Sequence, residues 1–125
     1  MTQSLILLIS FLAPQFNVSP ELAVAVAKTE SSLNPSAIGP RKEVGLFQVR
    51  PEYSKYSAKE LLIPHINIQE GLRILAQAKS KCKHQLVESW LVCYNVGISG
   101  GAKIKYPKKF KYYTKVIARM NAARN

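Results

Sequence analysis

The chain has 125 residues, enough to bury a core of its own, and its length fits one domain over residues 1–125. With 47% hydrophobic and 20% charged residues it belongs among ordinary soluble globular proteins. Eighteen Lys and Arg face seven acids, all Glu, for a net charge of +11. A chain without Asp is a poor candidate for a Ca²⁺ or Mg²⁺ site or a Ser-His-Asp triad, whereas the charge points to a polyanion: nucleic acid, an anionic membrane surface or an acidic wall polymer.

The apolar run from Leu5 to Ala13 has no preceding Lys or Arg and no clear small-residue cleavage site after it, and it is too short to span a bilayer. Leu5, Leu8, Ile9 and Leu12 recur at helical spacing and predict a first core helix instead. Pro14 breaks that pattern. Ser19 and Pro20 then supply a cap and a first-turn proline for a second helix from about Pro20 to Ser32, and Pro35 forces a turn. From Ser36 to Tyr53 periodicity fades. Gly39-Pro40 marks a turn, and Val44 to Val49 is read as either a short strand or an irregular wall, with Gln48 facing solvent or a cleft.

Asn67-Ile68-Gln69-Glu70 matches a capping box and predicts the start of a third helix with Ile68, Leu72, Leu75 and Ala76 inward. A fourth carries Val87, Trp90, Leu91 and Tyr94 on one face and ends near Gly97; a last one, from about Lys109, turns Phe110, Tyr113, Ile117 and Met120 inward. Eight Lys or Arg and no acid lie between Ala102 and Asn125. The fold class expected is mainly α: a compact helical domain with at most a small strand element. Cys82 and Cys93 lie too far apart, and too far from either histidine, for a zinc motif. They could pair in a disulfide, but two buried free thiols on helices are favoured for a chain made in the cytosol.

Glu30 lies in the last turn of the second helix. The negative end of the helix dipole and poor solvation both favour its protonated form, as a general acid working near neutral pH requires. A solvated glutamate on an ordinary helix is the alternative, and the surrounding motifs decide between them.

Five separated pieces, in one order, resemble the catalytic domain of the lytic transglycosylases, the goose-lysozyme-like branch of the lysozyme superfamily. Glu30-Ser31-Ser32-Leu33-Asn34-Pro35 is similar to the family's E-S-x-[FL]-N-P, and Gly45-Leu46-Phe47-Gln48, followed by Val49-Arg50-Pro51, to G-L-M-Q with V-x-P. Asn67-Ile68 and Gly71 resemble N-I-x-x-G, Cys93-Tyr94-Asn95-Val96-Gly97 resembles A-Y-N-x-G, and Tyr106-Pro107 with Tyr112 to Val116 resembles the closing tyrosine-rich motif. The resemblance covers about Asn17 to Ala118, so the expected fold is lysozyme-like.

The resemblance implies that Glu30 protonates the glycosidic oxygen between N-acetylmuramic acid and N-acetylglucosamine, then takes the muramoyl C6 hydroxyl proton to give a 1,6-anhydro end. It implies no cofactor and no metal. Ser31 would sit beside the acid or the acetamido group, or bond the helix backbone. Gln48 would donate to the sugar, Tyr94 and Asn95 would line the cleft, and Tyr112 would reach the Glu30 carboxylate. Phe47 replaces the usual Met, keeping a nonpolar wall of altered shape; Lys42-Glu43 stands for Gly-Ala, and Lys108-Lys109 for Glu-Thr. Glu43 is a possible second acid, able to activate water and turn the enzyme into a lysozyme-type hydrolase, although a surface role is favoured.

The expected partner is therefore the peptidoglycan glycan strand, met by a monomer. The basic C-terminal helix could also hold an anionic wall polymer or membrane surface. A nucleic-acid-binding helical module explains the charge but leaves the Glu30 and Gln48 motifs without a role. The setting expected is the bacterial wall in the periplasm, reached through phage lysis, virion delivery or an atypical export route.

Overall fold

The computed structural model describes residues 2–82, 91–96 and 111–124. The first apolar run forms helix α1 (Thr2–Leu12), which buries Leu5, Ile9 and Leu12 as its spacing predicts, leaves Leu8 half-buried and turns Leu7 and Phe11 to solvent. A 3-10 turn (Ala13–Phe16) follows, and Asn17 in the left-handed region redirects the chain. Among the described residues no helix is long and apolar enough to cross a membrane.

Helix α2 (Pro20–Ser31) is the element around which the others pack. Ser19 is extended, and its Oγ accepts the Leu22 N–H at 3.1 Å, with Pro20 in the first turn. Every residue from Leu22 to Ala27 is buried, so this helix has no wet face over nearly two turns. Its alternation of Ala and Val keeps the cylinder thin and lets α1 and the last helix pack against it. The helix stops one residue before the predicted end: Ser32 and Leu33 both take left-handed φ, 56° and 60°. Neither is glycine, so these conformations are held by their surroundings, including the burial of Leu33.

Between Val44 and Val49 the structure forms a pinned wall, and no strand occurs among the described residues. Val44 and Val49 exchange both backbone hydrogen bonds, 2.9 and 3.0 Å, and Val44 bridges Ile38 as well. The four residues between them close a turn, with Gly45 at φ 79° and Gln48 at φ 50°. Gly39-Pro40 turns the chain as its sequence predicts, with the Lys42 N–H reaching the Gly39 carbonyl at 3.0 Å.

The predicted capping box at Asn67 is corrected. Helix α4 (Pro64–Lys81) begins three residues earlier, with proline in its first turn, and places Asn67 and Glu70 inside it. The reciprocal cap belongs to the short helix α3 (Ala58–Leu61), where Ser57 Oγ accepts the Glu60 N–H and Glu60 Oε1 accepts the Ser57 N–H. Asn67 and Glu70 matched the pattern for another reason: both are buried, and their polar atoms bond elsewhere, those of Asn67 to Phe47 and those of Glu70 to Arg73 and Ser54. Of the predicted stripe, Ile68, Leu72 and Leu75 are buried; Ala76 is only half-buried.

Helices α5 (Leu91–Val96) and α6 (Lys111–Arg124) complete the core. Leu91, Val116 and Met120 are buried, while Tyr94, Tyr112, Tyr113 and Ile117 pack against the cluster from its rim. Val87, Trp90, Gly97 and Phe110 lie outside the described residues. The expectation of two free thiols is also corrected: Cys82, just past α4, is joined to Cys93 of α5, with Cα atoms 6.3 Å apart. They stand eleven positions apart in the sequence, yet α5 folds back onto α4 and brings both side chains into the core.

Candidate active site

Glu30 occupies the last turn of α2, half-buried, beneath the hydroxyl of Tyr112 from α6. Tyr112 donates to Glu30 Oε2 at 2.8 Å. Among the described residues no Lys or Arg forms an ion pair with Glu30, although the chain carries eighteen of them. Its carboxyl is raised from 4.5 to about 7: burial is the largest cause, the Tyr112 hydrogen bond opposes it, and the charge of Glu43 adds to it. The group therefore holds a proton near neutrality and releases it within the same range. Glu70 shows the opposite outcome in the same fold: its partnership with Arg73 at 2.8 Å, joined by a Ser54 hydroxyl at 2.6 Å, holds its carboxyl below the usual value.

Two tyrosines wall the acid. Tyr94 and Tyr112 lie with ring centroids 6.5 Å apart and planes inclined by 29°. Burial pushes both phenols well above their ordinary range, and the charge of Glu30 pushes in the same direction. Both hydroxyls thus remain donors. The Tyr94 hydroxyl gives its hydrogen to the Phe47 carbonyl at 3.0 Å, which ties α5 to the turn after Val44.

The other sequence-predicted residues are placed as follows. Ser31 Oγ lies 2.9 Å from the Leu46 carbonyl and 3.1 Å from that of Ala27. Its single proton serves one of them at a time, so Ser31 joins the end of α2 to the same turn. Gln48 Nε2 donates to the carbonyls of Ala37 (3.2 Å) and Gly45 (3.0 Å). Its two N–H bonds are thereby used within the turn, and its Oε1 lies against Gly39, 2.5 Å from where a Cβ there would stand. Glu43 is half-buried and its Oε1 accepts the Arg41 N–H at 2.6 Å. Phe47 is fully buried against Gly71 and forms core beneath the site. A side chain at Gly71 would place its Cβ 2.4 Å from the Phe47 ring, so glycine there is a condition of this packing. Asn95 lies in α5, and its side chain is outside the described residues.

The residue whose importance the capping-box pattern concealed is Asn67. Its Oδ1 accepts the Phe47 N–H at 2.8 Å, and its Nδ2 donates to the carbonyls of Val44 (2.7 Å) and Leu61 (2.9 Å). One buried amide thus fixes the turn that Ser31 and Tyr94 both grip. A polar residue on the apolar side of the α4 stripe, next to Ile68, was the available signal.

Two hollows lie away from this centre. One, of about 240 Å³, is lined by Ile6, Glu21, Lys28 and Arg119; a wider one of about 700 Å³ includes Phe16, Asn17, Arg73 and Lys79. Glu30 lines neither of them, and it is the protonation of Glu30, more than cavity size, that marks the chemistry.

A helix that ends on a protonatable glutamate, a pinned glycine turn beside it and a tyrosine from the last helix over it form one arrangement, and its sequence matches an independent family description. The transglycosylase SLT domain matches residues 8–116, nearly the whole chain. The protein belongs to this family of lysozyme-like peptidoglycan lytic transglycosylases.

Proposed function

We propose that the chain cleaves the β-1,4 bond between N-acetylmuramic acid and N-acetylglucosamine with Glu30 as its one acid and base. Protonated Glu30 gives its proton to the glycosidic oxygen, the bond from muramoyl C1 breaks, and the N-acetylglucosamine end leaves as an alcohol. The acetamido oxygen of the substrate holds the cationic C1. The Glu30 carboxylate then removes the C6 hydroxyl proton as that oxygen closes on C1, which restores the acid and leaves a 1,6-anhydromuramoyl end. The observation that carries this reading is a carboxyl raised to about 7 by burial, without an ion-pair partner among the described residues.

In this scheme Tyr94, Asn95 and Gln48 serve as sugar-binding residues, and Ser31 supports the turn. One hydrophobic cluster drawn from α1 to α6 supports residues 1–125 acting as a single catalytic domain, and we propose that it acts as a monomer. Exposed Lys111, Lys115 and Arg119 on α6 support attraction to an anionic wall polymer or membrane surface. Phage lysis or wall penetration is the setting that goes with so basic a chain. The second reading, a hydrolase, rests on Glu43, whose charge reaches Glu30. Its oxygen is engaged by the Arg41 N–H, which favours the lyase.

Mass spectrometry of the fragments released from purified peptidoglycan tests the proposal. Anhydromuropeptides are the expected product. Fragments one water heavier would assign the hydrolase and bring Glu43 forward as the base.

Tyr112→Phe gives a separate test. It keeps the ring against Glu30 and deletes the one hydrogen bond that lowers the Glu30 pKa. Because the acid must be protonated, activity falls as pH rises through about 7 in the wild type. In Tyr112→Phe that limb of kcat/KM should move up by roughly one pH unit. An unmoved limb would detach the titration from this pair.

A further inference from the structure

The disulfide lies one residue from the aromatic wall of the acid, and its position suggests more than a staple. Cys82 sits at the end of α4, whose Ile68, Leu72, Leu75 and Ala78 are anchored in the core. Cys93 belongs to α5, where it is buried beside Leu91. The next residue, Tyr94, gives its hydroxyl to Phe47 and its ring to Tyr112, and Tyr112 holds Glu30. Every step from the sulfurs to the carboxyl is a direct bond or contact.

We propose that the Cys82–Cys93 cross-link is a positioning device for Glu30, so that the enzyme is active with the pair oxidised and idle with it reduced. The inference rests on the reading of Glu30 as the acid. With the bond broken, α5 loses its covalent tie to the end of α4, Tyr94 withdraws from Phe47 and from Tyr112, and water reaches the carboxyl. Formation of the bond from two thiols gives two electrons and two protons to a disulfide oxidant, which departs as a dithiol. A chain made in a reducing cytosol is thus switched on by transfer to an oxidising compartment, where the wall lies.

The test compares oxidised wild type, wild type held reduced by excess dithiothreitol, and Cys82→Ala/Cys93→Ala, each by far-UV circular dichroism and by muropeptide release across pH. Glu30→Gln is assayed in parallel. The expected result is a retained helical spectrum in both uncrosslinked forms, with kcat lower by roughly 10- to 100-fold and KM little changed. Their alkaline limb moves below the wild-type position, because solvation of the carboxyl outweighs the lost hydrogen bond. That direction is opposite to the one expected for Tyr112→Phe. Reoxidation of the reduced wild type with oxidised glutathione restores both rate and limb.

Two outcomes overturn the inference alone: uncrosslinked forms that match wild type in rate and pH profile while Glu30→Gln is inactive, or loss of the helical spectrum together with the rate, which would make the bond a staple of the whole fold. Full activity of Glu30→Gln would overturn the assignment of the acid, and the inference with it.

Discussion

Replacement of Glu30 by Gln should lower the rate of glycan-strand cleavage by roughly 10³-fold or more while leaving the fold intact. Gln keeps the shape of the side chain and an oxygen that accepts from Tyr112, so the aromatic wall stays in place. What it loses is a proton that can be given and taken back. The same substitution should stabilise the protein at alkaline pH. With a folded pKa of about 7 against 4.5 unfolded, Glu30 has no pH-dependent cost below about 4.5, where both states are protonated. Between 4.5 and about 7 the unfolded chain ionises first and stability is lost. Above that range the cost levels off at an order of 2 kcal/mol, after allowance for partial exposure. Urea denaturation should therefore find Glu30→Gln more stable than wild type at pH 8 and equal to it at pH 4. A variant that is inactive but no more stable at pH 8 would mean that the wild-type carboxylate is well solvated.

The two signals that locate Glu30 are local and were readable in the sequence. Ser19-Pro20 marks the start of α2, and the small residues that follow mark a helix able to be buried all round. Periodicity likewise gave Leu5, Ile9 and Leu12 on α1 and Met120 on α6, whereas the buried Val116 lay off the predicted stripe. What was not legible depended on contacts distant in sequence. Val44 and Val49 read equally as strand or wall, since a single bridge leaves no alternating pattern behind. The cysteines could not be paired without knowing that α5 returns to the end of α4. Gln48 was expected to donate outward, and only the carbonyls of Ala37 and Gly45, eleven and three residues back, show that its N–H bonds are used.

The pH behaviour of Glu30 also has a cause different in weight from the one inferred from the helix end. Burial is the largest influence, and that burial is supplied in part by Tyr94 and Tyr112, from two helices at the other end of the chain. A carboxylate in the same helical turn without those rings would meet water. The acid is thus a product of α2, α5 and α6 together, and the turn from Gly45 to Gln48 is where the first two are joined, through Ser31 to Leu46 and Tyr94 to Phe47.

That convergence makes Asn67 the residue whose loss should cost most in stability. Asn67→Ala strands the Phe47 N–H and removes the donors to the Val44 and Leu61 carbonyls, in a site that is 1% exposed. The Val44 carbonyl still receives the Val49 N–H, so the full penalty falls on two groups and the emptied volume. A cost of about 3 kcal/mol follows, or a fall in Tm of roughly 10–15 °C. Asn67→Asp separates the role of the amide from that of volume. It retains an oxygen for the Phe47 N–H but turns another toward the Val44 and Leu61 carbonyls, where only a protonated carboxyl can donate, and then to one of them. Its pKa is therefore raised by burial and by those carbonyls, and its instability should grow as pH rises from 4 to 8. Asn67→Ala should be equally unstable, relative to wild type, at both pH values. Urea denaturation of the three proteins checks both statements. A small and pH-independent loss for Asn67→Asp would mean that the turn is held by Val44 and Val49 without the amide, and muropeptide release by that variant would then match wild type.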